Sequence, residues 1–182
     1  KHGKINVEGD IFLFDGVLFD EIEKMSETRL DKESKPFFFY ALGIYGHKDF
    51  YRNSEIRPDV VKCNPHNDDI NKIANQFYYR TKAIAKFLKN IHKIDPEGIV
   101  LVISDHLPPG VLKYSGYKYT KYTNIALFKD DDKFLDITGI KYYMLPSKIW
   151  SLLIGTEYID ENIQEHYEDL YYTLLKQSLY CR

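Results

Sequence analysis

Short runs of consecutive apolar residues divide this chain into segments, and the clearest of them span residues 10–15, 37–45 and 99–103. An apolar run of this length that does not alternate with polar residues is typical of a strand covered on both faces, as in a parallel sheet. Residues 124–137 add a further apolar strand, a charged turn and a short return strand. The hydrophobic pattern therefore predicts several strands, with 37–45 and 99–103 central in a sheet.

Helical periodicity fills the segments between these strands. Apolar residues recur at helical spacing over 17–25. The longest predicted helix starts after Asn67, a residue type that caps helix N-termini, and ends before Pro96, because proline disfavours helix at the residue preceding it. Later helices are predicted over 146–154 and 161–177. Opposite its apolar stripe, the long helix carries basic residues that we interpret as a solvated side: Lys72, Arg80, Lys82, Lys86 and Lys89.

The order strand–helix–strand–helix–strand, with right-handed crossovers, predicts an α/β layered sandwich. A chain of 182 residues is long enough for one domain, whose core we place at about 10–156 with a helical tail at 157–182. The composition, 44% apolar and 29% charged, is that of an ordinary globular protein. A net charge of −2 and the lack of a dense Lys/Arg run give no reason to expect a nucleic acid partner.

The ends of the chain and its cysteines say little about its location. No stretch reaches the roughly 18 apolar residues of a membrane helix, and no signal peptide is visible. The chain starts with Lys1 rather than Met, so we expect a fragment, and missing signals would then say nothing about the parent protein. Cys63 and Cys181 could form a disulfide, but two cysteines do not settle the redox compartment.

The end of the strand at 99–103 carries the first candidate chemistry. Asp105 and His106 follow it directly, and ligands of α/β sheets bind at the carboxyl edge of the strands. A carboxylate oxygen with an imidazole suits Mn²⁺ or Zn²⁺ better than Ca²⁺, which prefers oxygen ligands throughout. Two ligands are too few for a metal site, so others must come from elsewhere. The alternative is that Asp105 caps a turn and His106 lies on the surface.

A second histidine, His47, lies just past the predicted strand at 37–45. It could bind a phosphate oxygen or protonate a leaving group, or it could be an ordinary loop histidine. Arg52 and Arg57 follow and could bind an anion bidentately, although such arginines are more often surface charge. Ser104 is not supported as a nucleophile, because no Gly-x-Ser-x-Gly elbow surrounds it.

Several motifs of this chain resemble the alkaline phosphatase superfamily, in order over about residues 10–156. Lys35-Pro-Phe-Phe-Phe-Tyr followed by His47 resembles the sulfatase strand that leads to a substrate-site histidine. Residues 75–88 resemble the helix that precedes the metal strand. Asp105-His-Leu-Pro-Pro resembles the metal-binding turn of the lipoteichoic acid synthase and phosphoglycerol transferase branch, whereas sulfatases proper usually have Asp-His-Gly there. Residues 145–155 resemble the late helix of the family, which ends in Leu-Gly.

The resemblance implies a three-layer α/β sandwich with a mostly parallel sheet and a metal-dependent enzyme. It implies a phosphoglycerol transferase-like activity on a phospholipid head group or envelope glycan, outside the cytoplasm. Membrane helices would tether the parent protein. Carried over position by position, Asp105 and His106 become ligands of Mn or Zn, and His47 becomes a substrate-binding residue. Arg52 is the second predicted substrate-binding residue.

The departure from the family pattern is large. The family's Thr or Ser nucleophile and an acidic metal ligand come from an amino-terminal half that has no counterpart in this sequence. We therefore interpret the chain as the carboxyl-terminal portion of the catalytic domain, without a catalytic nucleophile and inactive alone. One alternative is a sulfatase or phosphoethanolamine transferase of the same superfamily, to which residues 46–52 have some likeness. The other is a non-catalytic α/β module that binds a partner through its Tyr/Lys-rich loop at 114–122.

Overall fold

The computed structural model describes residues 9–32, 35–47, 49–104, 125–129 and 133–157, together with 166, 169, 170 and 173. The chain divides into two compact units, Lys1–Leu135 and Asp136–Arg182, and each is described by itself. Within the described ranges, no helix combines the length and the apolar character needed to cross a membrane.

Two long helices, α1 (Asp15–Lys32) and α2 (Asp68–Ile94), pack against each other in the first unit. Phe19 and Phe87 stack between them with ring centroids 4.8 Å apart. Residue numbers rise together on the two helices from one contact to the next, so α1 and α2 run parallel. The polar contacts are Arg80 Nε to Asp15 Oδ2 at 2.7 Å, Lys86 Nζ to Asp20 Oδ1 at 2.8 Å, and Asn90 Nδ2 to Glu23 Oε2 at 3.0 Å.

The first predicted strand, 10–15, is wrong. Residues 10–14 form a bend and a loop, and α1 already begins at Asp15. The helix predicted over 17–25 is confirmed and extends to Lys32. The physical reason is that side chains rather than a strand partner anchor this segment. The Asp10 carboxylate accepts hydrogen bonds from the backbone N–H of Asn53 and from the guanidinium of Arg57.

The long helix predicted after Asn67 is confirmed as α2. The side-chain oxygen of Asn67 accepts a hydrogen bond from the Ile70 N–H at 3.0 Å, which satisfies one of the free donors of the first turn. The helix ends at Ile94, before the Asp95–Pro96 pair, as predicted. Its buried positions are polar rather than apolar: Asn71, Asn75 and Gln76.

Asn75 fastens an irregular segment of the chain to α2. Its Oδ1 accepts hydrogen bonds from the N–H groups of Val60 and Val61 at 2.6 and 2.8 Å. Its Nδ2 donates to the carbonyls of Val61 and Asn71 at 2.7 and 2.8 Å. The side chain thus replaces a strand partner for residues 60–61, which explains why a polar residue is fully buried here.

Replacement of Asn75 by alanine should lower the free energy of unfolding by about 2 kcal/mol, because two partly buried backbone N–H groups lose their acceptor. Asn90→Ala is the matched control. Asn90 lies on the same helix, and its replacement by alanine brings the same gain in helix propensity. The substitution removes one hydrogen bond to Glu23, so it should lower the free energy of unfolding by about 1 kcal/mol or less. Urea unfolding of both variants measures the difference. Equal costs at the two positions would contradict the anchoring role of Asn75.

The sheet of the first unit is antiparallel, so the strands described do not confirm the predicted three-layer sandwich with a mostly parallel sheet. Its strands are β1 (Val100–Ile103), β2 (Ile125–Lys129) and β3 (Lys133–Phe134), in the order β1-β2-β3. The predicted hairpin is confirmed, since Phe128 lies opposite Phe134. On its other edge β2 pairs with β1, with Val100 opposite Phe128. β1 is half-buried rather than covered on both faces, because Ile103 is exposed.

The strand predicted over 37–45 does not form within the described part of the chain. Residues 36–44 have no regular secondary structure, and Phe38, Tyr40 and Leu42 are 87%, 80% and 62% exposed. The rings of Phe37 and Phe39 lie 5.2 Å apart, as side chains two positions apart on one face of a straight segment do. The physical reason is the lack of a partner strand beside this segment among the residues described.

The second unit contains a single turn of 3-10 helix at Tyr142–Met144 and the helix α3 (Leu145–Ile154). The predicted helix at 146–154 is confirmed. Proline is accommodated in the first turn because the N–H it lacks would have no partner there. Gly155 ends the helix with φ 70°, a left-handed conformation that glycine adopts without steric cost. Most of the helix predicted over 161–177 lies outside the described residues; the four described positions there are helical.

Candidate functional site

The predicted metal ligands, Asp105 and His106, lie outside the described residues. β1 ends at Ile103, and in the sequence Ser104 alone separates its last residue from Asp105. Across the described part of the chain, no group of three or more His, Cys, Asp or Glu side chains could hold a metal ion. A carboxylate and an imidazole are donors that Mn²⁺ or Zn²⁺ accepts, but further ligands are required.

His47 closes a tight turn, which we call the His47 turn (residues 43–47). The His47 N–H donates to the carbonyl of Ile44 at 3.0 Å, and the His47 carbonyl accepts from Phe50 N–H at 3.3 Å. The imidazole is exposed, and its ring centroid lies 5.9 Å from that of Phe12 with the two ring planes at 71°. The backbone is therefore held while the imidazole faces solvent, which is what a residue that binds a ligand requires.

A buried ion pair lies beside the His47 turn. The side chains of Asp10 and Arg57 are 0% and 6% exposed, and Arg57 Nη2 lies 2.5 Å from Asp10 Oδ2. The Arg57 guanidinium is 4.4 Å from the centroid of Phe14 and 5.9 Å from that of Tyr45, which places it over two aromatic rings. Two charges removed from water in this way are stable only as a pair.

Tyr45, within the His47 turn, is fully buried and packs its ring edge-on against Phe14, with centroids 5.1 Å apart. Burial, followed by the negative charge of Asp10, raises the pKa of Tyr45 from 10.0 to about 12. Its hydroxyl lies within reach of the Asp10–Arg57 charges without a well-formed hydrogen bond to any described residue. Tyr45 is thus a neutral packing residue at physiological pH and does not supply a base.

The two arginines that follow His47 are both engaged inside the protein. Arg52 Nη1 donates to the carbonyl of Arg57 at 2.7 Å, and its Nη2 contacts the carboxylate of Asp59. The sequence left two interpretations open for Arg57, an anion-binding residue or a surface charge. The structure shows neither, because Arg57 forms a buried ion pair with Asp10. The prediction that Arg52 binds substrate stays a prediction, and in this arrangement its guanidinium holds the 52–59 segment together.

His66 is the histidine of the loop before α2. It is exposed and lies 2.8 Å from Asp68 Oδ1 through Nε2, and 3.1 Å from Asn71 Nδ2 through Nδ1. The nearby Cys63 is a free thiol whose Sγ accepts from the Asn67 N–H at 3.1 Å. These residues cap and brace the start of α2, which is a structural task.

Sequence reasoning missed the charged residues that surround the His47 turn: Asp10, Asp15 and Arg80. The sequence pattern places Arg80 on the solvated side of α2, yet Arg80 forms an ion pair with Asp15 on α1. No spacing rule could have found this pair, because 65 positions separate its members. An aspartate such as Asp15 at the first position of a helix indicates a favourable interaction with the helix N-terminus, but it does not indicate that Arg80 pairs with it.

Comparison with known proteins decides the family. A family model described as Sulfatase matches residues 5–127, about two thirds of the chain. The chain belongs to the sulfatase family. The match includes His47 and the Asp105–His106 pair, and it confirms the resemblance to the alkaline phosphatase superfamily.

Membership of the sulfatase family implies an alkaline-phosphatase-like α/β fold and the hydrolase or transferase chemistry of that superfamily. Divalent metals are common in these enzymes. No curated protein and no solved structure matches the chain significantly. The family model therefore gives the class of enzyme, and the residues give what can be proposed beyond it.

Proposed function

We propose that this sulfatase-family chain is the carboxyl-terminal part of a metal-dependent phosphotransferase of the phosphoglycerol transferase type. The observation that carries the proposal is the family match, because it spans both the His47 turn and the Asp105–His106 pair. The branch within the superfamily is proposed from Asp105-His-Leu-Pro-Pro, where sulfatases proper usually have Asp-His-Gly. Its substrates would be a phospholipid head group or an envelope glycan outside the cytoplasm, with membrane helices tethering the parent protein.

The exposed apolar side chains of residues 36–44 support the proposal that the rest of the catalytic domain covers this segment. Phe38, Tyr40 and Leu42 face solvent, although a run this apolar is expected to be buried. Strands laid on both sides of 36–44 would convert it into the central strand of a three-layer sandwich with a mostly parallel sheet. The nucleophilic Ser or Thr would come from that same part of the protein, and this chain alone would be inactive.

The chemistry assigns separate tasks to the residues present. Asp105 and His106 would hold Mn or Zn, which supplies charge to polarise a phosphoryl oxygen and to lower the pKa of a nucleophilic hydroxyl. His47 binds and orients the transferring group, because an imidazole N–H placed on a fixed turn can donate to an oxygen on which negative charge develops. The buried Asp10–Arg57 pair and Tyr45 keep that turn in place.

Hydrolysis of a sulfate ester is the second candidate function, and the family match itself favours it. Sulfate and phosphate esters both present tetrahedral groups with anionic oxygens, so the same histidine and metal ligands serve either substrate. A phosphoethanolamine transferase is a further variant with the same metal chemistry. The family match disfavours a non-catalytic binding module, whose proposed loop at 114–122 lies outside the described residues.

Metal analysis of the full-length protein tests the proposal, with the wild type measured beside Asp105→Ala and His106→Ala. Loss of a ligand should weaken metal binding by at least the roughly 10–100-fold that loss of an outer-shell partner causes. We expect stoichiometric Mn or Zn in the wild type and a large loss in both variants. His66→Ala is the control and should retain the metal. Unchanged metal in both variants would remove Asp105 and His106 from the coordination sphere.

Turnover of bis(p-nitrophenyl) phosphate and p-nitrocatechol sulfate by the same preparations separates the two candidate functions. A phosphotransferase should cleave the phosphate diester, and a sulfatase should cleave the sulfate ester. Because both probes release a coloured product, one assay format compares them directly. Preference for the sulfate ester would replace the first candidate by the second without affecting the metal result.

A further inference from the structure

We propose that Arg80 and Asp15 are positioning residues for His47, and that their ion pair is the support on which the His47 turn rests. The inference depends on the proposed function in so far as His47 contacts the substrate. The inference goes beyond that function because it assigns a role to the Arg80–Asp15 ion pair, neither member of which is proposed to bind a ligand.

The first argument is the contact between the ion pair and the two glycines of the turn. A Cβ at Gly46 would overlap Arg80 Nη1 and would lie 2.8 Å from Arg80 Cζ. A Cβ at Gly43 would lie 2.5 Å from Asp15 Oδ1 and 3.0 Å from Asp15 Cγ. The guanidinium and the carboxylate therefore pack closely against the backbone at Gly43 and Gly46, and a Cβ at either position would force the charged side chain or the turn to shift.

The second argument is the short path from this contact to the imidazole. Gly46 immediately precedes His47, and consecutive Cα atoms are only about 3.8 Å apart. A displacement of the Gly46 backbone, whether caused by an added Cβ that meets Arg80 or by loss of the guanidinium, is thus passed on to His47 with little loss. A shift of about 1 Å at a group that positions substrate is large enough to reduce turnover about 100-fold.

The third argument is the rigidity of the support. Arg80 Nε donates to Asp15 Oδ2 at 2.7 Å, and the Arg80 guanidinium lies 5.5 Å from the centroid of Phe77. Both charged residues belong to helices, α2 and α1, rather than to loops, and helices hold functional side chains more firmly than loops do. The two charged side chains therefore project from regular elements, whereas the segment they contact has no regular secondary structure.

The fourth argument is charge. Asp15 and Arg80 side chains are 3% and 24% exposed, and Asp15 Oδ1 is buried with no hydrogen-bond partner among the described residues. Removal of Arg80 would leave this carboxylate uncompensated against Gly43, and a buried lone charge reorganises its surroundings. The turn should therefore respond to loss of Arg80 through both its shape and its charge.

The test uses Arg80→Met and Gly46→Ala in the full-length protein, because each separates the guanidinium from the turn by a different route. We expect kcat/KM for bis(p-nitrophenyl) phosphate to fall by about 10–100-fold in each. Arg80→Lys keeps the charge but not the planar group under Gly46 and should recover only part of the loss. Lys86→Met is the matched control. It removes the neighbouring ion pair between the same helices, and activity should be unchanged.

A double-mutant cycle with His47→Ala separates positioning from a general structural effect. If Arg80 acts through His47, Arg80→Met should cause no further loss in the His47→Ala background. Equal losses in both backgrounds would overturn the inference while leaving the role of His47 intact. An unchanged kcat/KM for His47→Ala would instead count against the proposed function.

Nuclear magnetic resonance of the histidine ring protons keeps the inference testable even if His47→Ala leaves kcat/KM unchanged. The His47 signal is assigned by its loss in His47→Ala. It should shift in Arg80→Met and Gly46→Ala, and it should stay in place in Lys86→Met. An unmoved His47 signal in both Arg80→Met and Gly46→Ala would overturn the proposal independently of any activity.

Discussion

Replacement of Arg57 by methionine should lower the free energy of unfolding by about 3–5 kcal/mol, the loss expected when one partner of a buried ion pair is removed. The reason is the Asp10 carboxylate, which is fully buried and would lose its cation. Methionine keeps much of the volume over the rings of Phe14 and Tyr45, so the loss reports charge more than packing. Urea unfolding followed by circular dichroism measures it.

Lys86→Met is the matched control for this prediction, because it also removes the cation of an ion pair with an aspartate. Lys86 and Asp20 are 62% and 57% exposed, so their pair should contribute about 1 kcal/mol or less. The double variant Asp10→Asn/Arg57→Met should recover much of the loss. It removes both charges and leaves a side-chain oxygen to accept from the Asn53 N–H. Similar costs for Arg57→Met and Lys86→Met would contradict the burial argument.

The sequence predicted the elements that local rules decide. α2 was foreseen with both ends, because Asn67 caps its first turn and Pro96 prevents continuation. The hairpin at 124–137 was foreseen because a charged turn separates two short apolar runs. Gly155 could be placed as the end of α3 for a similar reason, since glycine adopts positive φ readily. Each of these signals acts over only a few residues.

The elements that were wrong depend on partners far along the chain. Residues 10–14 look like a strand, but the Asp10 carboxylate accepts hydrogen bonds from Asn53 and Arg57, which lie more than 40 positions further along the chain. These contacts hold the segment as a loop. The apolar run at 37–45 looks like a central strand, and it would be one only with a neighbouring strand on each side. Hydrophobic periodicity shows which face of a segment is apolar, but it does not show which other segment packs or pairs with it.

The candidate site shows the same division. His47 could be proposed because it follows an apolar run, a position defined within the sequence. The residues that hold it could not be proposed, because Asp15 and Arg80 meet only when α1 and α2 pack in parallel. The overlap of Arg80 with a Cβ at Gly46 also requires coordinates. A candidate ligand-binding residue can therefore be proposed from local pattern, whereas the residues packed against it emerge only from the tertiary structure.

Replacement of His47 by alanine should lower kcat/KM for a phosphate diester by about 10²–10³-fold in the full-length protein, the loss typical of one removed hydrogen-bond donor to a developing oxyanion. Stability should change by less than about 0.5 kcal/mol, because the imidazole is exposed and the backbone bonds to Ile44 and Phe50 do not need it. Steady-state kinetics and urea unfolding on the same preparations measure both quantities.

A large fall in kcat/KM with almost no change in the free energy of unfolding distinguishes a substrate-binding histidine from an ordinary loop histidine. His66→Ala controls for the loss of an exposed imidazole, and it should leave kcat/KM within about two-fold because His66 braces α2 instead. His47→Gln keeps an N–H donor and should recover part of the loss. A loss under three-fold for His47→Ala would make His47 a loop residue. The sulfatase-family assignment would stand in that case, because it rests on the match over 5–127 and not on this side chain.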